Sequence, residues 1–277
     1  MFKYTIPLDD WIEFAVEWLV AGYRPQFQAV KWPIEKMLNY INGFLQWLPA
    51  VVVILAILII AWKAAGLKVG IFSFVTLTFI GFLGMWSETM TTLAMVISAV
   101  VICVLIGVPL GILSSRSNRF ESLLRPVLDA MQTTPAFVYL VPVVMLFSIG
   151  TVAGVIATII FSMPPIIRLT NLGIRQVHPE LIEATYAFGA TKKQVLWKVQ
   201  FPLALKTIMA GLNQTMMLSL SMVVIASLIG AGGLGVPVFE GLNSLQVGLA
   251  GIGGISIVLL AMVLDRITQG LGSTDQD

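Results

Sequence analysis

Charged residues are scarce in this chain of 277 residues. They make up 11% of it, against roughly 25% in a typical soluble domain. Hydrophobic residues make up 58%, and the mean hydropathy is +0.95. This balance excludes a water-soluble globule and predicts an all-α integral membrane protein. The net charge of +2 is too small to indicate nucleic acid as a partner.

Several motifs that carry chemistry are missing. No G-x-x-x-x-G-K-[ST] loop is present, so the chain cannot bind a nucleotide in the P-loop manner. One histidine and one cysteine, Cys103, cannot build a zinc site, and one cysteine cannot form an intramolecular disulfide. No nucleophile with a nearby base is apparent. We therefore expect no catalytic residue and no metal site.

A membrane helix needs about 20 mostly apolar residues, and long apolar runs nearly free of charge predict seven such helices, two of them short. An apolar stretch near 136–167 is split by a turn at Gly150 and Thr151. Because ion-coupled carriers place charged groups near the bilayer midplane, we expect that energy for any uphill work comes from outside this chain. The spans are predicted near 48–65, 68–86, 89–113, 136–149, 152–169, 203–229 and 245–266.

Basic residues favour one orientation. The first, third, fifth and seventh spans end in Lys or Arg, whereas the loops around Glu88, Gly150 and Glu240 contain none. By the positive-inside rule the basic ends face the cytoplasm. With seven spans, the N-terminus is then outside, and the C-terminal tail, 268–277, is inside. Residues 48–88 form two accessory helices and 89–267 a core.

The N-terminal tail, 1–47, has an amphipathic pattern. Apolar residues at helical spacing predict a helix over 33–48 with Pro33 in its first turn, and a shorter helix over 10–20. Four tryptophans lie in the tail, and indoles suit the lipid headgroup layer. We expect the tail to lie on the outer membrane surface in contact with lipid, and the alternative is a tail packed on other protein. The tryptophans are Trp11, Trp18, Trp32 and Trp47.

The longest basic loop, 170–202, predicts two short helices outside the bilayer. Pro179 starts the first and Gly189 ends it. Thr191 and Gln194 form a capping box for the second, which Pro202 closes as the next span begins. By pattern alone this is either a partner-docking loop or an ordinary amphipathic connector.

The loop resembles the EAA loop of permease subunits in binding-protein-dependent ABC importers, E-A-A-x-x-x-G-x9-I-x-L-P. Glu183, Ala184 and Thr185 are followed by Gly189 and, nine residues later, by a segment ending in Phe201 and Pro202. Thr185 and Phe201 depart from the pattern conservatively. The resemblance implies that the loop docks on a separate ATP-binding subunit, which binds ATP and Mg. The implied coupling residues are Glu183, Ala184, Thr185, Gly189, Ala190, Thr191, Lys192 and Pro202.

Three further segments, 123–147, 164–170 and 211–235, resemble glycine betaine and proline betaine permeases of osmoprotectant importers. This implies a five-helix core of the methionine-permease type in a bacterial cytoplasmic (inner) membrane. It also implies a homodimer with two ATP-binding subunits and an external substrate-binding protein. Choline, carnitine or another small solute remains an alternative substrate, and a stand-alone channel or ion-coupled carrier an alternative class.

Polar residues within the spans are candidates for the translocation path. Thr133, Thr134 and Pro135 interrupt a helix, and irregular backbone at membrane depth is tolerated where it lines a cavity or is buried in protein. Hydrogen bonding between helices is the alternative role. Asp129 is expected to pair with Arg125, one turn earlier. The path candidates are Gln132, Thr133, Thr134, Asn213, Gln214, Ser219 and Ser221.

Overall fold

The computed structural model describes residues 7–273, and within them all regular structure is helical, with no β-strand. The all-α prediction is thus confirmed. The helices are α1 (Leu8–Trp47), α2 (Ala50–Ala65), α3 (Leu67–Phe82), α4 (Trp86–Arg116), α5 (Asn118–Thr133), α6 (Ala136–Phe147), α7 (Thr151–Arg175), α8 (Pro179–Ala187), α9 (Lys192–Val195), α10 (Phe201–Ala226), α11 (Gly235–Asn243) and α12 (Val247–Ser273).

Not every one of the seven predicted spans is a helix long and apolar enough to cross a membrane alone. Among the described residues, four helices are long and apolar enough to cross alone: α4, α7, the continuous segment 192–229, and α12. Two bent pairs, 25–47 with α2 (108°) and α5 with α6 (101°), raise the number to six if each is one span. The predicted span at 136–149 corresponds to α6, whose 12 residues rise only about 18 Å. It is therefore one limb of a bent pair, and α3 is a shorter apolar helix.

The N-terminal segment forms one helix of 40 residues, so the prediction of two separate helices was wrong. Pro33 lies inside α1, not in a first turn, and Pro25 lies inside it as well. Tertiary packing explains this outcome, because Phe27 and Leu38 place the apolar stripe of α1 against the core of the same chain. Burial of that stripe offsets the hydrogen bonds that the prolines remove.

The helix α7 lies between α4 and α10, and most of its apolar residues are buried. Small residues permit this close approach. A Cβ on Gly107 would lie 2.5 Å from Ile166 Cγ2, and one on Gly111 would lie 2.5 Å from Thr170 Cβ. Both positions require glycine because α7 occupies the space that a side chain would need.

The predicted basic ends of the spans lie together, at what we call the basic end of the bundle. Arg175 Nη2 at the end of α7 donates to the Ser114 carbonyl near the end of α4 (2.8 Å). A Cβ on Gly173 would lie 2.9 Å from Thr207 Cβ, which places the start of α10 there too. A Cβ on Gly270 in α12 would collide with Ala65 in α2.

The predicted loops without basic residues lie together at the opposite end. The Gly150 N–H, between α6 and α7, donates to the Ile229 carbonyl after α10 (3.2 Å). The Leu234 N–H donates to Thr92 Oγ1 near the start of α4 (2.8 Å). Gln46 Nε2, at the end of α1, donates to the Ser87 carbonyl (2.9 Å). The alternation of ends derived from the charge pattern is therefore consistent with the packing.

Candidate functional site: the coupling elbow and the α4–α5–α7 cavity

The segment 179–200 forms a projecting helix and a sharp turn, which we call the elbow. Gly189 adopts φ +80°, and its N–H donates to the Tyr186 carbonyl (2.9 Å) while the Ala190 N–H donates to the Thr185 carbonyl (3.2 Å). These two hydrogen bonds form a Schellman motif, with glycine at the left-handed position. The predicted end of the first loop helix at Gly189 is thus confirmed.

The second helix of the elbow begins as expected and continues further than expected. The capping box between Thr191 and Gln194 is present, which confirms that prediction. The prediction that Pro202 closes this helix was wrong. A π-helical turn, Leu196–Gln200, joins α9 directly to α10, and the Phe201 N–H donates to the Leu196 carbonyl. The wider π-helical turn leaves room for Pro202, which has no N–H to donate, so α9 and α10 form one continuous rod.

The elbow exposes the residues that its sequence singled out. No residue of α8 is buried; Glu183, Ala184 and Lys192 are exposed, while Thr185 and Ala190 are half-buried. Phe188 is 93% exposed, whereas Val195 is 1% exposed and anchors the base of the elbow to the bundle. The elbow is therefore a protrusion with an exposed aromatic tip and a buried anchor at its base.

The predicted path residues do not form one site. Gln132, Thr133 and Thr134 lie at the break between α5 and α6, where the two helices bend by 101°. Side-chain hydroxyls bond to carbonyls in the last turn of α5, because Thr134 Oγ1 donates to the Ala130 carbonyl (2.7 Å) and Tyr139 Oη donates to the Met131 carbonyl (2.7 Å). Hydroxyl groups thus stabilise the irregular backbone.

The four path candidates on α10 face three directions. Asn213 Nδ2 donates to Asp265 Oδ1 (3.1 Å) on α12, and Gln214 is exposed. Ser219 is fully buried, and its hydroxyl contacts Ser162 Oγ on α7 (2.9 Å). Ser221 lines a groove of about 330 Å³ between α10 and α12, together with Asp265.

The hydroxyls of Ser162 and Ser219 also bond within their own helices. Ser162 Oγ donates to the Thr158 carbonyl (2.6 Å), and Ser219 Oγ lies 2.8 Å from the Thr215 carbonyl. Cys103 Sγ on α4 lies 3.6 Å from Ser162 Oγ. Three helices therefore meet at one buried polar contact, in which each serine keeps a partner on its own helix.

A cavity of about 320 Å³ lies between α4, α5 and α7 at the basic end, and sequence reasoning did not find it. Arg175 has four partners there: Nε donates to Asn171 Oδ1 (2.8 Å), Nη1 to Asn118 Oδ1 (2.8 Å), and Nη2 to the Ser114 carbonyl (2.8 Å) and Glu121 Oε2 (3.0 Å). This network joins the ends of the three helices.

The pairing predicted for Asp129 was wrong. Its carboxylate accepts from Arg168 Nη2 on α7 (2.5 Å), while Arg125 pairs with Glu121 (3.1 Å). Spacing alone could not decide this, because Glu121 and Asp129 both lie four residues from Arg125. Arg168 is 39 residues from Asp129 along the chain, and only the packing of α5 on α7 brings them together.

Residues 107–272 match the family described as binding-protein-dependent transport system inner membrane component. The chain belongs to this family. The matched range includes the elbow, the cavity and every predicted path residue. The permease subunits of this family are transport components and not enzymes, and ATP is handled by a separate ATPase subunit.

Relatives with described activities resemble the permease over nearly its whole length. It is 54% identical to the glycine betaine/proline betaine transport system permease protein ProW of Escherichia coli (strain K12), over 98% of this chain and 76% of the relative. It is 44% identical to the glycine betaine transport system permease protein OpuAB of Bacillus subtilis (strain 168), over 96% of this chain and 94% of that one.

Solved structures share the fold of the permease. It is similar to a chain of the MetNI methionine ABC transporter in inward-facing conformations, with a TM-score of 0.55 and 23% identity over 65% of this chain and 92% of that chain. A second crystal form has a TM-score of 0.56 and 26% identity, over 65% and 89%. The permease is thus a multi-pass inner-membrane protein whose family implies ATPase and substrate-binding partners.

Proposed function

We propose that the permease imports glycine betaine or a related quaternary ammonium osmolyte, in an ATP-driven system that depends on a binding protein. The observation that carries this proposal is the 54% identity to a glycine betaine/proline betaine permease over 98% of this chain. Proline betaine, choline and carnitine are competing substrates, and a relative from Listeria monocytogenes, 47% identical, is a glycine betaine/carnitine permease.

In this proposal the elbow receives the force of ATP hydrolysis. The face that docks on an ATP-binding subunit consists of Glu183, Ala184, Thr185, Gly189, Ala190, Thr191 and Lys192. The exposure of α8 supports this role, since an apolar tip as exposed as Phe188 is costly to leave in water. The π-helical turn before Pro202 supports it too, because movement of the elbow is passed directly to α10.

The path is proposed to run along the break in α5–α6 and the exposed polar side of α10. Amides and hydroxyls along this path suit weak and brief contacts with a passing zwitterion. They belong to Gln132, Thr133, Thr134, Gln214 and Ser221. Asn213 and Ser219 act beside this path, where their hydrogen bonds hold α10 against α12 and α7.

The assembly is proposed to contain two copies of the permease, two ATP-binding subunits and one external substrate-binding protein. The basic end faces the cytoplasm, so the N-terminus is outside and the C-terminus inside. The clustering of span ends with Lys and Arg at one end of the bundle supports this orientation. The N-terminal tail, 1–47, of which residues 1–6 lie outside the described part of the chain, is proposed to lie on the outer membrane surface with its exposed tryptophans in the headgroup layer.

The test is uptake of labelled glycine betaine by vesicles that hold the permease, its ATPase subunit and its binding protein. We expect uptake only when ATP is enclosed inside the vesicles with the ATPase subunit and the binding protein is outside, and we expect inhibition by unlabelled proline betaine. Vesicles with the permease alone are the control. Uptake by the control vesicles without ATP would instead indicate a channel or carrier, and failure of the complete system with every quaternary amine would refute the proposal.

A further inference from the structure

The α4–α5–α7 cavity carries both signs of charge. Arg125, Arg168 and Arg175 line it together with Glu121 and Asp129. We propose that it is a subsite for the zwitterionic substrate at the basic end of the permease, where Arg168 receives the carboxylate and Asp129 faces the quaternary ammonium. This inference rests on the proposed import of a betaine.

Two ion-pair groups in the cavity differ in how firmly they are held. Arg175 is fixed by four hydrogen-bond partners on α4, α5 and α7, and Glu121 also accepts from Asn171 Nδ2 (3.1 Å). Arg168, in contrast, has Asp129 as its one side-chain partner among residues 7–273, and the two side chains are 40% and 54% exposed. The network around Arg175 therefore holds the helices together, whereas the Arg168–Asp129 pair can open.

An exposed pair of this kind exchanges partners at little cost, because water screens its attraction and both side chains lose freedom when paired. The planar guanidinium of Arg168 matches a carboxylate with two parallel hydrogen bonds. A quaternary ammonium has no hydrogen to donate, so only the charge of Asp129 and apolar contact can hold it. A betaine supplies both charges, and therefore each side chain regains an opposite charge when the pair opens around it.

The size, walls and position of the cavity agree with such a ligand. Its volume of about 320 Å³ lies at the lower end of the roughly 300–1,000 Å³ of small-molecule sites. Leu124, Leu128 and Leu172 line it and offer apolar surface to the methyl groups. Asp129 also lies one helical turn before Thr133, at the break that we propose for the path.

The test measures protection of an introduced thiol by the substrate. Leu172→Cys places a thiol in the cavity, and Leu123→Cys is the matched control on α5, because Leu123 is 74% exposed and does not line the cavity. The native Cys103 is fully buried. The complete complex in nanodiscs is labelled with a neutral maleimide at constant ionic strength, with glycine betaine, choline or 3,3-dimethylbutyrate. Choline lacks the carboxylate, and 3,3-dimethylbutyrate replaces the ammonium nitrogen with carbon.

We expect glycine betaine to slow labelling of Leu172→Cys by about twofold when its concentration equals its dissociation constant. Choline and 3,3-dimethylbutyrate should protect less, labelling of Leu123→Cys should not change, and Arg168→Gln or Asp129→Asn should abolish protection. The same two variants should slow uptake, whereas Arg119→Gln, which removes a positive charge outside the cavity lining, should not.

Each outcome separates the subsite from the proposed function. Uptake by the unmodified complex without protection of Leu172→Cys would overturn the subsite and leave the import function standing. Equal protection by 3,3-dimethylbutyrate would overturn it in favour of a simple anion site. Protection without any uptake would support the subsite and refute the import function.

Discussion

Replacement of Gly189 by alanine tests whether the elbow must keep its bend. Gly189 has φ +80°, and a Cβ added there would meet nothing within 4 Å. The only local cost is therefore the left-handed backbone, which is about 1–2 kcal/mol for a residue with a Cβ. Since 1.4 kcal/mol corresponds to a factor of ten, the equilibrium constant between the bent form and its alternatives falls by roughly 5- to 30-fold.

Gly84 provides a matched control for this substitution. It follows α3 at the end opposite the elbow with φ +74°, it has the same pair of Schellman hydrogen bonds, and a Cβ there would also meet nothing within 4 Å. Gly84→Ala therefore carries a similar backbone cost outside the elbow. Both variants should still enter the membrane. Thermal unfolding in detergent should show similar small losses, while ATP-dependent uptake by the reconstituted system should fall markedly for Gly189→Ala alone.

Two results would refute this reasoning. If Gly189→Ala takes up substrate at the normal rate, the bend is not needed for coupling. If Gly84→Ala lowers uptake as much as Gly189→Ala does, the effect reflects general backbone strain and not the elbow. ATPase activity in detergent, measured with and without the loaded binding protein, shows whether the loss of uptake reflects uncoupling.

Three other substitutions have expected outcomes. Gly111→Val should lower the stability measured by thermal unfolding by about 1–3 kcal/mol, because the new side chain overpacks against α7. Gly248→Ala, in open space on α12, should not lower it, and equal effects would contradict the close α4–α7 packing. Ser219→Ala should cost at most about 1 kcal/mol, because Ser162 keeps its own carbonyl partner, and a larger loss in chemical denaturation would contradict that. Arg175→Gln should cost about 1–2 kcal/mol by removing charged hydrogen bonds at three helix ends, and unchanged unfolding would show that the network is not structural.

Local signals were sufficient for much of the elbow. The φ that glycine permits and the capping pattern of Thr191 and Gln194 depend on neighbours along the chain, so both could be predicted from spacing. The continuation through Pro202 could not, because it depends on a π-helical turn whose backbone widening has no clear residue signature. The apolar runs likewise predicted the membrane helices but not the bends that pair α5 with α6.

The features that could not be predicted from the sequence depend on contacts between distant parts of the chain. The single helix α1 exists because the core offers a surface for its stripe, which no propensity of Pro25 or Pro33 could indicate. The cavity was missed because Asp129 and Arg168 are 39 residues apart and belong to different helices. The one available signal was Asp129 itself, an acidic residue near the end of a span. Its one basic partner at helical spacing is Arg125, which can pair equally with Glu121.

The serine contact between α7 and α10 has a consequence for motion. Ser162 and Ser219 each reach a carbonyl on their own helix, so sliding one helix past the other would separate the two hydroxyls without stranding either in the apolar interior. The shape of the surfaces, and not a polar bond, then resists that movement. A transporter must alternate between two arrangements at each turnover, and a helix contact that can slide without leaving a buried hydroxyl unbonded makes this alternation less costly.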